Sequence, residues 1–453
     1  MPGPMVHKFK FNNLNIVLDV NSGAVHVVSG LGWIIIDLME KGHKEEEIQE
    51  KLNSNYDSRE VIRVLQEIKE LKERELLFSE DYTQDYSRPP EHIVKALCFH
   101  VAHDCNMTCS YCFAGKGAFG GIKSKMSREV AFKGIDFLIE NSGSRKNCEI
   151  DFFGGEPLLN FSLVRETVDY ARKREKEAGK EFNFTLTTNG VLLEKEVMDY
   201  LNEEGFSVVL SLDGRREIND RVRTLGGKGS YDYVVPKYLS FIEKREHKDY
   251  FIRGTYTRHN LDFSEDLKHL VNLGFKSISL EPVVASPELP YALQEEDLPI
   301  TYQQYEKIAD LCQQFSSTSK SFSFFHFNLD LSQGPCIKKR LSGCGAGTEY
   351  MALSPEGDLY PCHQFVGKQE FLMGNVLQDL RYDHSLYNKF LKVDINSKED
   401  CRRCWAKFFC GGGCHANAYN FNSDLYRPYG LGCNLEKKRL ECALGLQAYS
   451  YLD

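Results

Sequence analysis

Fifteen cysteines stand in this chain of 453 residues, and ten of them fall into two groups whose spacing suits metal ligation better than disulfide pairing. The first group is Cys105, Cys109 and Cys112, within the segment CNMTCSYC. Three thiolates on so tight a loop suit a cubane iron-sulfur cluster and leave one iron without a protein ligand. A structural zinc ion wants a fourth ligand, which here would have to be His100 or His103. The second group runs Cys344, Cys362, Cys401, Cys404, Cys410, Cys414 and Cys433. Seven thiolates are one too few to close two four-cysteine cubanes. Cys98, Cys148, Cys312 and Cys442 read as buried apolar residues.

The first cysteine group follows a β-like run, Ala96–His100, and opens a stretch in which such runs alternate with helices as far as Cys312. The other runs are Cys148–Phe153, Asn183–Thr188, Ser207–Leu212, Phe251–Thr257 and Ser277–Glu281, with amphipathic segments such as Ser127–Asn141 and Glu194–Glu204 between them. Six such units predict an α/β domain, a parallel and barrel-like βα array with its chemistry at the carboxyl ends of the strands. Residues 1–90 differ. Short alternating runs at His7–Phe11, Asn15–Val20 and Ala24–Val28 precede three helical segments, Ser29–Met39, Lys44–Leu52 and one that Ser58 caps. The last carries apolar residues at Val61, Val64, Leu65, Ile68, Leu71 and Leu76. The pattern is that of a small winged-helix-like unit, closed by a linker at Arg88-Pro89-Pro90. Beyond Cys312 the chain is rich in loop residues, including Gly411-Gly412-Gly413, and bound metal is expected to organise it in place of a conventional core.

Composition excludes several partners. A net charge of −9 gives no global basic field for nucleic acid, and the run Arg172–Lys176 reads as a solvated helix face. In the third N-terminal helix Arg59, Arg63, Lys69, Lys72 and Arg74 are offset by Glu60, Glu67, Glu70, Glu73 and Glu75, which favours a peptide over DNA. No apolar run approaches the roughly 18 residues of a membrane span, and the start MPGPMVHKFK lacks the hydrophobic segment of a secretory signal. The expectation is a cytoplasmic protein without a membrane partner, in a compartment that keeps its thiols reduced.

The C-x3-C-x-aromatic-C motif, followed by Gly154-Gly155-Glu156-Pro157 after the second strand, resembles radical S-adenosylmethionine (SAM) enzymes. The resemblance implies a partial (β/α)6 barrel over residues 91–312 and a 4Fe-4S cluster on Cys105, Cys109 and Cys112. SAM would chelate the open iron and be cleaved reductively to a 5′-deoxyadenosyl radical. Gly154 and Gly155 would admit the SAM ammonium and Glu156 accept from it, Asn189 and Ser211 would contact SAM, Arg223 would hold its carboxylate, and Tyr111 would pack beside the adenine.

The seven later cysteines resemble the SPASM extension of radical SAM peptide maturases, here spanning 313–453. That likeness implies one auxiliary 4Fe-4S cluster on Cys401, Cys404, Cys410 and Cys433, and Cys344, Cys362 and Cys414 as most of another, for three clusters in all. Cys336 or a thiolate of the substrate would complete the three-cysteine site. The N-terminal unit resembles the leader-peptide recognition elements fused to such maturases. As a whole the chain looks closest to maturases of six-cysteines-in-forty-five-residues peptides, thioether synthases of the sactionine and ranthipeptide kind. These join a cysteine sulfur to a carbon of another residue, often threonine. The implied partners are a cysteine-rich precursor peptide with its leader and a one-electron reductant such as flavodoxin or ferredoxin. Related sulfatase maturases place an aspartate base where His363 follows Cys362, so His363 is the one candidate catalytic base. The rival readings are an anaerobic sulfatase-type maturase making formylglycine and a zinc-stabilised regulatory binding protein.

Overall fold

The computed structural model describes residues 5–83, 92–329, 331, 337–378 and 382–451. The expected linker Arg88-Pro89-Pro90 and Cys336 lie outside the described residues. Near the start, β1 (Val6–Phe11), β2 (Leu14–Asp19) and β3 (Val25–Val28) form an antiparallel meander. Successive side chains of a strand point to opposite faces. Ile16 and Leu18 of β2 therefore join the main core, while Val17 packs with α1 (Gly30–Glu40), α2 (Glu45–Leu52) and α3 (Ser58–Glu73). Asp57, not Ser58, caps α3: its carboxylate accepts the Arg59 amide at 2.7 Å, whereas the Ser58 hydroxyl donates to Asn53 at 3.0 Å. A carboxylate there meets both the free amides and the positive end of the helix dipole, which favours it over the hydroxyl. The helix stops at Glu73, so Leu76 lies beyond it.

From Ala96 strands and helices alternate. The elements are β4 (Ala96–Ala102), the short β5 (Thr108–Cys109), α4 (Arg128–Asn141), β6 (Asn147–Gly154), α5 (Phe161–Ala178), β7 (Glu181–Thr188), α6 (Lys195–Glu203) and β8 (Ser207–Ser211). There follow α7 (Arg216–Val222), β9 (Arg223–Leu225), β10 (Lys228–Gly229), α8 (Tyr231–Lys244), β11 (Tyr250–Tyr256), α9 (Phe263–Asn272), β12 (Ser277–Pro282), α10 (Leu298–Phe315) and β13 (Ser323–Phe324). Strands β4, β6, β7, β8, β11 and β12 are the six expected from sequence, and they lie parallel in one sheet. That sheet has ten strands. Beside β12 it gains β13, and beside β4 it gains the parallel β14 (Tyr350–Leu353) and the antiparallel β15 (Asp358–Tyr360) and β16 (Gly374–Asn375). Strands of two to four residues are too short to show a period in sequence. Through them the tail and the βα region share a sheet.

The tail has more core than its sequence predicts. Phe365, Phe371, Phe390, Val393, Ala416 and Leu425 form an apolar cluster of their own. Each comes from a turn or short helix that supplies one or two residues, so no periodicity announces the core. The helices here are α11 (Ile337–Ser342), α12 (His384–Leu391), α13 (Glu399–Arg402), α14 (Lys407–Cys410), α15 (His415–Asn422) and α16 (Gly430–Ser450). The last packs along α10 and the meander, and a side chain at Gly445 would strike Phe11, with a Cβ 2.3 Å from its ring. Two smaller expectations are also corrected. Cys98, Cys148 and Cys442 are buried but Cys312 only partly so, and Arg172 is half-buried, bonded to Glu175 and 4.8 Å over the Phe184 ring. Among the described residues no helix is long and apolar enough to cross a membrane.

Candidate cluster and substrate sites

Cys105, Cys109 and Cys112 lie on the loop that leaves β4, and that loop is pressed against the end of β6. The Gly155 amide donates to Ala102 O at 2.8 Å and the Glu156 amide to Asp104 O at 2.9 Å. A Cβ on Gly154, at φ +123, would sit 2.3 Å from Ala102 O, and one on Gly155 would sit 2.2 Å from Asp104 O. Glycine is therefore required here so that the cysteine loop can seat, besides lining the cavity beyond. Cys109 belongs to β5, which pairs antiparallel with β9 so that Cys109 faces Arg223.

These residues surround a cavity of about 260 Å³. The three thiols, Tyr111, Gly154, Gly155, Asn189, Ser211 and Arg223 all line it, at the carboxyl ends of β4, β6, β7 and β8. Glu156 does not. Its fully buried carboxylate accepts the Leu158 amide at 3.1 Å, the Thr188 hydroxyl at 2.8 Å and the Asn189 amide at 2.8 Å, and burial pushes its pKa up to about 7 against those donors. In this arrangement Glu156 fixes the turn after β7, and Asn189 in turn donates to Asn106 in the cysteine loop at 2.8 Å.

Sequence reasoning gave no role to Asp213, although it stands in the Ser211-Leu212-Asp213-Gly214 segment. It is buried, takes the Tyr111 hydroxyl at 2.6 Å and the Thr255 amide at 2.9 Å, and pairs with the Arg223 Nε at 3.0 Å. The guanidinium stands 5.5 Å over the Tyr111 ring. Tyr111, Arg223 and Cys109 are thus tied to one carboxylate. Arg253, Thr255 and Glu281, at alternate positions of β11 and β12, complete the inner wall. Their period of two was the only sequence signal for them.

His363 reaches the same cavity, between the rings of Phe113 and Phe153, with Nδ1 3.4 Å from the Tyr350 hydroxyl. Burial lowers its pKa to about 4, so the imidazole is neutral. His100 and His103 hydrogen-bond each other at 3.1 Å and do not line the cavity. They are not placed as fourth ligands to the three thiols.

A second cavity, about 400 Å³, is lined by Cys344, Cys410, Cys414 and Cys433 together with Gly343, Tyr429 and Arg439. Glu281, Pro282, Val283 and Val284 line both cavities, so one stretch of wall at the carboxyl end of β12 runs from the first thiol group to the second. The tail thiols divide electrostatically into two sets. Cys362 feels Cys414 and Cys344, whereas Cys401, Cys404, Cys410 and Cys433 act on one another. Burial raises Cys401 to about 11 and Cys410 to about 12, so a metal must displace protons to bind them. Among the described residues no three His, Cys, Asp or Glu side chains converge on a single ion. The donor set fits soft, thiolate-ligated iron, with three thiols at the first site and sets of four and three in the tail.

The four-thiol set is braced by the N-terminal unit. Lys407, between Cys404 and Cys410, pairs with Asp81 at 2.7 Å with both side chains almost fully buried, and Trp405 stacks on His7 at 3.8 Å.

Residues 100–237 match the profile of the Radical SAM superfamily, and residues 344–405 that of the SPASM iron-sulfur cluster-binding domain. The mycofactocin maturase MftC of Mycolicibacterium smegmatis is 28% identical over 326 residues, which cover 71% of this chain and 78% of that protein. The solved structure of anSMEcpe with bound AdoMet superposes with a TM-score of 0.65 at 20% identity, covering 79% of this chain and 99% of that one. Streptococcus suis SuiB bound to precursor peptide SuiA covers 95% of this chain and 100% of that one, with a TM-score of 0.55 at 15% identity. At these identities the two structures establish a shared fold.

Proposed function

We propose that this chain, which carries a radical SAM domain and a SPASM domain, is a peptide maturase that joins a cysteine sulfur to a carbon of another residue in a ribosomally made precursor. The carrying observation is the common wall Glu281–Val284. A single peptide laid along it presents one residue to the cavity of Cys105, Cys109 and Cys112 and another to Cys344 and Cys414. MftC is a maturase and SuiB takes a precursor peptide, which supports a peptide substrate here.

In this reading Cys105, Cys109 and Cys112 would hold a 4Fe-4S cluster and the tail thiols two more, with a one-electron donor such as flavodoxin or ferredoxin as partner. With SAM bound, a cluster on these three thiols would supply radical chemistry for hydrogen abstraction. The chain's own residues orient the reactants. Arg223, anchored by Asp213, would hold the SAM carboxylate, Gly154 and Gly155 would give the SAM ammonium close approach, and Asn189, Ser211 and Tyr111 line the rest of the pocket. The neutral imidazole of His363, in the wall of the first cavity, can accept a hydrogen bond or proton there. Cys344 and Cys414 are exposed to the second cavity, where a substrate thiolate can complete the three-cysteine site; Cys336 is the internal alternative. Residues 1–90, 91–312 and 313–453 then act as leader recognition, radical and auxiliary-cluster regions. The edge of β3, open to a groove with Leu331, Ala448 and Tyr451, offers a place for leader strand addition.

The test is anaerobic incubation with SAM, reductant and a cysteine-rich precursor peptide. The expected product has lost two hydrogens and one thiol that alkylates. A product carrying an aldehyde with its remaining thiols still alkylable identifies the formylglycine reaction instead, and zinc in place of iron removes the enzyme reading.

A further inference from the structure

Lys398, at the start of α13, is fully buried, and its Nζ donates to the Gly412 carbonyl at 2.6 Å. Its main chain touches the four-thiol set directly, since the Cys401 amide donates to the Lys398 carbonyl at 3.1 Å. Gly412 lies in the turn between Cys410 of the four-thiol set and Cys414 of the three-thiol set, and a Cβ there would be 3.6 Å from the ammonium. One lysine therefore spans from one set to the turn that leads into the other.

A buried ammonium needs an anion. Lys407, the other buried lysine of the tail, has Asp81. Among the described residues the Lys398 ammonium makes no ion pair with a carboxylate, and the largest charges acting on it are those of Cys401, Cys410, Cys414 and Cys433. Burial pushes its pKa down, and these thiols offset that only in part. The fold has placed a cation on the Gly412 carbonyl, in the turn between Cys410 and Cys414, where the strongest opposite charges on it are cysteines drawn from both sets.

We propose that the Lys398 ammonium is a fixed charge shared by the two auxiliary cluster sites, which raises the reduction potential of both and helps each take up an electron. The proposal rests on the reading that the two thiol sets hold iron-sulfur clusters. Its physical basis is that a cluster gains negative charge on reduction, and a nearby cation in a medium of low dielectric stabilises that state. Lys398 lines neither cavity, so its role is electrostatic positioning of the electron.

The test uses the full chain with Cys105, Cys109 and Cys112 changed to alanine, so that only the auxiliary clusters remain. This parent, K398M and K398R are reconstituted anaerobically, assayed for iron and titrated redox-potentiometrically with EPR detection. Met keeps the bulk without the charge, and Arg keeps the charge. The parent should hold about 8 iron atoms. In K398M the auxiliary potentials should move negative by at least the roughly 59 mV of a tenfold change in a one-electron equilibrium, while K398R stays near the parent. Loss of iron in K398M but not in K398R also supports a required charge. Full iron with unchanged potentials in K398M overturns the proposal, and equal loss of iron in both variants assigns Lys398 to packing and overturns it too. A parent without iron sinks the cluster reading itself, a result separate from any effect of Lys398.

Discussion

Cys105, Cys109 and Cys112 sit on a loop locked to the carboxyl ends of β4 and β6 by two backbone hydrogen bonds, whereas Cys401, Cys404, Cys410 and Cys433 are spread over α13, α14, α16 and the turns between. At the first site the sheet supplies the geometry and Asp213 balances the cation, Arg223, that faces Cys109. At the second, single contacts from distant parts of the chain brace the thiols, with Asp81 on Lys407, His7 on Trp405, and the buried Lys398 on the Gly412 carbonyl. In the proposed reading the first site would be a scaffold that receives a cluster, and the second a set of separate elements for which bound metal would be part of the scaffold.

The largest expected effect tests that contrast directly. Changing Cys105, Cys109 and Cys112 to alanine should abolish reductive SAM cleavage and remove about a third of the iron, yet leave thermal unfolding almost unchanged. Changing Cys401 and Cys404 to alanine should lower the unfolding temperature clearly. Equal thermal shifts in the two variants would break the comparison.

Next in size is Gly155→Ala. Its Cβ, 2.2 Å from Asp104 O, must push the cysteine loop aside, and SAM cleavage should fall by about a hundredfold for a displacement near an ångström. Wild-type cleavage rates would show that the loop is not clamped as described.

Asp81→Ala should cost about 3–5 kcal/mol, because it leaves Lys407 buried without its partner, and D81A/K407M should recover much of the loss. Thermal unfolding and auxiliary iron content read both effects; no recovery in the double variant would deny the pair its role. Burial pushes the Asp81 carboxyl up, but Lys407 and Thr83 pull it lower and prevail. The contribution of the pair is therefore present above the ordinary carboxylate range and fades as pH falls through the lowered value. Deleting residues 1–90 would remove Asp81 as well, so leader recognition is better tested by proline substitutions along β3, with processing and SAM cleavage measured separately.

The smallest effect sharpens the boundary of the comparison. Asp57→Ala removes only the cap of α3 and should cost about 1 kcal/mol without changing SAM cleavage. A loss of cleavage comparable to that in Gly155→Ala would mean that the N-terminal helices reach the first site.

Spacing and period carried the sequence a long way here. Six parallel strands, the helices between them, the three-strand meander and both thiol groups follow from patterns local to the chain: alternation of two in strands, near-helical spacing, and cysteines a few residues apart. Such patterns are legible because neighbours in sequence are neighbours in space within one element or loop. What tertiary structure alone decided joins residues far apart in sequence. It seats Asp213 under Tyr111 and Arg223, brings His363 from the tail into the first cavity, turns Glu156 inward to Thr188 and Asn189, adds β14 to β4, and buries Lys398 against Gly412 and Lys407 against Asp81. These contacts leave no period in the sequence, because each is made by one or two side chains whose meeting depends on how whole layers pack.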